Sequence, residues 1–125
     1  MRPGGHRAFY NARRTTLNIT PAGMRPAGYS PSVRLFEADA CGTPIGSDSW
    51  PGLEDIFEPG REILVARSPD ESVSFLRDIP GEELAAAGER ARARVLASHT
   101  AARRACELES YAREALAGKP CPAAS

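Results

Sequence analysis

The chain has 125 residues, 42% hydrophobic and 26% charged, which supplies enough apolar material for one modest domain with a core and excludes a disordered polymer. Sixteen Lys and Arg balance sixteen Asp and Glu, so no global field draws the protein to nucleic acid or to an anionic membrane, and neither is expected as a partner. The longest apolar runs are too short to span a bilayer and the first residues, MRPGGHRAFY, lack the apolar centre of a signal peptide, which makes the cytoplasm the expected location.

In chain order, HRAFYNARR (6–14) predicts a short helix, and TTLNIT (15–20) has the branched content of a strand. The turn-rich PAGMRPAGYSP follows. Ser30-Pro31 is a helix-start signal, because a serine hydroxyl accepts an early backbone N–H and proline has none to lose at the first helical position. The helix runs from Pro31 to about Cys41, where Gly42 and Pro44 end it. A short strand around 44–47, a short helix near 53–57 and a second buried strand, EILVA (62–66), come next. PDESVSFLRDI predicts an amphipathic helix, and from Gly81 to Leu116 the composition is almost wholly Ala, Glu, Arg and Leu, strong helix formers. Ser98-His99-Thr100 interrupts that tail, with Thr100 capping its last helix. The residues after 117 read as a disordered C-terminus.

The elements alternate strand and helix, which makes the expected fold α/β: a partial doubly wound, Rossmann-like parallel sheet of about three strands, flanked by helices and followed by a long helical tail. Residues 1–117 form one unit, with the helical tail from about 81 included. In the tail acidic and basic residues alternate and no leucine heptad persists, so it reads as a solvated helix pair packed on a neighbour. Three cysteines, Cys41, Cys106 and Cys121, are odd in number and far apart, which suits a reducing compartment and no disulfide framework. No CxxC, HExxH or Walker motif occurs, and neither His6 nor His99 has a ligand-spaced partner, so no metal is expected.

The helix from Pro31 carries the chemistry. Its N-terminus has free N–H groups and partial positive charge, so the amides near Ser32 and Val33 can hold a phosphate or pyrophosphate. Helical spacing sets Glu37 among Val33, Phe36, Ala40 and Cys41, on the side expected to face the core. A carboxylate there can accept hydrogen bonds from two vicinal ribose hydroxyls, and phosphate at the helix start with ribose at the acid suits a nucleoside diphosphate. The structural alternative is an Arg34–Glu37 pair, which stabilises an exposed helix by about 0.2–0.5 kcal/mol.

The stretch SVRLFEADACGTPIGSDSWPGLEDIFEPGREILVARS, with HRAFYNARRTTLNIT and GYSPS upstream and GERARARVLASHT downstream, closely resembles the C-terminal domain of GT-B glycosyltransferases, and more narrowly the spore-maturation CgeB-like family. The likeness covers roughly His6 to Leu108. It implies a doubly wound domain that binds a nucleotide-diphosphate sugar as donor substrate, with no further cofactor, while a separate N-terminal domain binds the acceptor, here unknown. It also implies that Glu37 holds the donor ribose. Ser30, Ser32 and Val33 correspond to the turn and helix start beside the diphosphate, with Arg34 in the same block. Gly42, Thr43 and Pro44 match the turn into the next strand, and Asp48, Trp50 and Gly52 the loop near the donor. For those last three the competing reading is a structural turn, with the tryptophan filling a gap.

Three positions depart from the pattern of the resemblance. A glutamate of many retaining enzymes would stand eight positions before Glu37, where this chain has Tyr29; Asp39 stands where a small apolar residue is expected, and Gly46 where a bulky one is. No catalytic base is named: His99 lies at a helix junction and His6 near the chain start. The chain is short for a whole enzyme, so the expected protein is a donor-binding part, inactive alone, completed by an N-terminal domain or by a second copy. Two alternatives stay open: a non-catalytic nucleotide-binding or docking module derived from the same fold, and a helical interaction protein working through Gly81 to Leu116.

Overall fold

A computed structural model describes residues 2–21, 23 and 31–118. The order of elements is α1 (Pro3–Asn11), β1 (Thr16–Asn18), α2 (Val33–Ala40), β2 (Ile45–Asp48), a 3-10 turn (Leu53–Asp55), β3 (Leu64–Ala66), α3 (Pro69–Asp78), α4 (Gly81–Ser98) and α5 (Ala101–Leu116). The fold is α/β. The three strands form one parallel sheet in the order β1-β2-β3, with Leu17 opposite Gly46 and Gly46 opposite Leu64.

Helix ends follow side-chain chemistry. Ser68 accepts from Glu71 N and Thr100 from Arg103 N, each replacing one of the orphan hydrogen bonds of a first turn. Proline heads α1 and α3, where its missing N–H is not needed. Gly42 ends α2 in the left-handed region, φ +74°, a backbone shape that other residues adopt at a cost. The expected tail is two helices that break at His99 and Thr100. The start of α2 differs from the expectation. Its cap is Ser32, whose Oγ accepts from Arg34 N at 3.3 Å, and Pro31 lies before the helix. Ser30 lies outside the described residues, as do Tyr29, Cys121 and the C-terminal residues from 119 onward.

Both strands at the sheet edges are shorter than the expected 15–20 and 62–66. Past Asn18 the backbone ladder of β1 gives way to side-chain pairing, with Thr20 N donating to Asp48 Oδ1 at 3.0 Å. Glu62 is drawn into the preceding turn, where its Oε2 accepts from Glu58 N at 2.8 Å. Gly46 has a packing reason: a Cβ there would meet Leu17 Cδ2 of the neighbouring strand at 3.1 Å, so the bare backbone gives Leu17 its room.

The core joins Tyr10, Leu35, Ala38, Ile45, Trp50, Leu53, Phe57, Ile63, Ala91 and Val95. Burial of a side chain the size of Leu35, Ile45 or Phe57 contributes roughly 1.5–3 kcal/mol. α4 packs closely on α2 through Gly88, since a Cβ on Gly88 would fall inside the carbonyl oxygen of Gly42. This docking overturns the expected core side of α2. Leu35, Ala38 and Asp39 are buried; Phe36 and Cys41 are half-buried; Val33 and Ala40 face solvent. Glu37 is therefore half-exposed, and the buried acid of the helix is Asp39.

α4 buries Leu84, Ala87, Ala91 and Val95, whereas α5 has no buried residue and exposes Leu108, Tyr111 and Leu116. Where the two helices meet, His99 packs between Phe36 and Phe57 with ring centroids at 5.8 and 6.1 Å. On the other side of the sheet, Leu17 and Ile19 of the β1 segment face α3 across an apolar cleft of about 560 Å³, closed by Ala66, Val73 and Leu76. No helix among the described residues is long and apolar enough to cross a membrane.

Candidate functional site

The carboxyl ends of β1 and β2 and the start of α2 converge on one polar corner. In open α/β sheets this is the end from which loops reach a ligand. Thr20 N and Thr20 Oγ1 both donate to Asp48 Oδ1 at 3.0 Å, tying the segment after β1 to the end of β2. Beneath them Ser47 Oγ donates to Asp48 O at 2.9 Å, and Asn18 Nδ2 lies 3.5 Å from Ser47 Oγ. Asn18 and Ser47 are both buried, so this network holds the two strand ends in register without apolar packing.

A cleft of about 340 Å³ opens beside this corner, lined by Asn18, Ile19, Thr20, Pro21, Pro31, Ser32 and Arg34. Ser32, expected beside a diphosphate, and Arg34, of the same block, both line this cleft. The first amides of α2 add the partial positive charge of a helix N-terminus. The Arg34 Nη1 donates to Leu17 O at 3.3 Å, so the guanidinium also caps the backbone of strand β1. Val33 points away from the core and is 69% exposed.

Glu37 stands one turn further along α2, on the side of α1. Its Oε2 is 3.7 Å from His6 Nδ1 of α1. Tyr10, buried beneath them, has its hydroxyl pushed above the ordinary value, first by burial and then by the Glu37 carboxylate. A second cleft, about 370 Å³, runs along this group and is lined by His6, Phe9, Tyr10, Thr16 and Arg34. Arg34 borders both clefts. His6 and Tyr10 had no assigned role in the sequence reading; the spacing of His6 and Tyr10, one turn apart on a short helix, was the available signal.

The loop after β2 is divided. Asp48 borders the corner through Thr20. Trp50 is only 4% exposed and belongs to the core, with no hydrogen-bond partner for its Nε1 among the described residues. Gly52 takes a left-handed conformation, φ +95°, at the head of the 3-10 turn, and is buried. No group of three or more His, Cys, Asp or Glu among the described residues is arranged to hold a metal ion.

A family model described as glycosyl transferase-like matches residues 1–110. The chain belongs to this glycosyl transferase-like family. Comparison with curated proteins and with solved structures returns no match. Membership supports glycosyl transfer as the general chemistry, and the matched span takes in both clefts, the α2 start and Glu37.

Proposed function

We propose that this chain is the donor-binding part of a nucleotide-sugar-dependent glycosyltransferase, of the CgeB-like kind within the GT-B group, and that it works with an acceptor-binding domain. Residues 1–117 act as the donor unit. The observation that carries this reading is the shared position of Arg34. It borders a cleft headed by Ser32 and the first turn of α2, and it stands one turn before Glu37. A departing nucleoside diphosphate needs electrostatic stabilisation by helix amides and cations, and the α2 amides with Arg34 supply both. Glu37, half-exposed, then accepts from the vicinal ribose hydroxyls.

Titration calorimetry with UDP, GDP and ADP tests this. The wild type binds at least one of them, Glu37→Ala weakens it about tenfold or more, the loss of a charge-assisted hydrogen-bond pair, and Arg34→Ala weakens inorganic pyrophosphate as well. Equal binding by wild type and Glu37→Ala removes the ribose assignment. Saturable binding without sugar transfer in the presence of an acceptor domain favours a non-catalytic module of the same fold.

A further inference from the structure

We infer that the cleft between α1 and the start of β1 holds the nucleoside half of the donor, with the Phe9 ring as the surface on which the base lies and His6 as the residue that positions Glu37. This rests on the donor-binding reading above and extends it to residues of α1.

Three observations lead there. The first is adjacency: Arg34 is the shared wall of the Ser32 cleft and the α1 cleft, so a ligand with its phosphates at the α2 start reaches the second by crossing this one side chain. The second is the direction of the acid. Glu37 meets His6 Nδ1 at 3.7 Å and lies beside the Tyr10 hydroxyl, and both of those residues line the α1 cleft, not the phosphate cleft. A ribose held by Glu37 therefore sits at the mouth of the α1 cleft. The third is size and composition. At about 340 and 370 Å³ the clefts each lie at the low end of small-molecule sites, which run from roughly 300 to 1,000 Å³, so the pair offers a nucleoside diphosphate more room than either alone.

Phe9 is the aromatic available for the base. It is 42% exposed and meets Tyr10 edge-on, with ring centroids 5.4 Å apart and planes at 77°. The Arg13 guanidinium covers one face of the ring at 4.7 Å in a cation–π contact, so a base uses the opposite face. Stacking accepts any base, because each has a π face. The ligand class is thus a nucleoside diphosphate, and the base is chosen by other contacts.

The test is calorimetry on the full chain with UDP, GDP and ADP, and with inorganic pyrophosphate as the phosphate-only probe. Phe9→Leu keeps apolar bulk but removes the aromatic face. It is expected to weaken the nucleoside diphosphates roughly ten- to hundredfold and to leave pyrophosphate unchanged, while Phe9→Tyr recovers most of the loss. His6→Gln is expected to weaken UDP several-fold but to leave 2′,3′-dideoxy-UDP unchanged, because its effect passes through the Glu37 carboxylate to the ribose hydroxyls. Circular dichroism of each variant checks that the fold is kept. If Glu37→Gln weakens the nucleotides while Phe9→Leu binds them as the wild type does, the α1 cleft is not the nucleoside site and the donor reading stands. If the wild type binds pyrophosphate but no nucleoside diphosphate, both fall.

Discussion

Asp39 of α2 and Glu62 at the head of β3 are two buried carboxyl groups that act on one another, and only Glu62 is held. Among the described residues neither oxygen of Asp39 has a hydrogen-bond partner, whereas Glu62 accepts from Glu58 N and from Arg94 Nε, at 3.1 Å to each of its oxygens. Burial, and then the Glu62 charge, push the Asp39 carboxyl from 3.8 up to about 8. The folded protein thus holds a proton that the unfolded chain releases above about pH 4. Stability from this group is complete below pH 4, falls as pH rises, and is lost once pH passes about 8. Asp39→Asn removes the titration. Urea unfolding is expected to give equal stability for wild type and variant near pH 4, and an advantage for the variant that grows to on the order of 5 kcal/mol at most near pH 8. A difference that does not change with pH would show that Asp39 is ionised in the fold.

Arg94 is the counter-charge that lets Glu62 remain buried. The guanidinium is 41% exposed and the Glu62 side chain 11%, so solvent screens the pair on one side only. Arg94→Ala leaves Glu62 with the Glu58 amide alone and adds its uncompensated charge to the surroundings of Asp39. A fully buried pair broken in this way costs about 3–5 kcal/mol, and the exposure of Arg94 lowers the expected loss to roughly 2 kcal/mol. Because the two acids interact, Asp39→Asn in the same chain recovers part of that loss. Strict additivity in the double-mutant cycle would mean that the acids are not coupled.

Much of this fold is legible because its helix ends are written in short-range chemistry. Thr100 and Gly42 act within a few residues, and each marks an end found in the structure, whereas the Ser30-Pro31 start signal gave way to a cap at Ser32. The parallel sheet was legible from the alternation of elements. The buried side of α2 was not. Its eight residues, VRLFEADA, carry apolar side chains nearly all the way round, and the side that turns inward is decided by Gly88 of α4, far along the chain, which lets that helix approach Gly42. Asp39 stood out in the sequence as a misplaced acid, but only the packing reveals that it has no partner among the described residues. At the candidate site, Ser32 and Glu37 were singled out from the helix itself, and Arg34 from the resemblance. His6 and Tyr10 were not, because they reach Glu37 from a separate helix.

Gly88 is the contact on which the docking of α4 depends. A Cβ there falls inside the carbonyl oxygen of Gly42 and within 3.2 Å of Pro44 Cδ, and the first of these is backbone that cannot swing aside. Gly88→Ala is expected to destabilise by about 3 kcal/mol, the upper end of overpacking costs. Gly81 is the control, since nothing lies within 4 Å of a Cβ added at this first residue of α4. Gly81→Ala is expected to stabilise by about 0.4–1 kcal/mol through a less flexible unfolded chain. Chemical unfolding of both variants, measured side by side, separates contact from helix propensity. A mild effect at Gly88 would mean that α4 sits further from α2 than the close approach to Gly42 requires.

His99 fixes the junction of α4 and α5, and its partners determine which nitrogen carries the proton. Its Nδ1 is 2.7 Å from Arg104 Nη2, which can only donate, and its Nε2 is 3.2 Å from Ile56 O, which can only accept. These contacts fit the tautomer with hydrogen on Nε2, and they tie the first turn of α5 to the segment after the 3-10 turn. Phe36 and Phe57 hold the ring by packing. These two contributions can be separated by substitution. His99→Phe keeps an aromatic ring but loses both hydrogen bonds, for an expected cost of about 1–2 kcal/mol, and His99→Ala loses the packing as well, for about 2–4 kcal/mol. In both variants amide exchange over residues 101–104 is expected to rise towards that of a free helix end, because α5 has no buried residue of its own to hold it. Unchanged exchange there, with a loss of global stability alone, would assign the ring to the core and leave the orientation of α5 to the Thr100 cap.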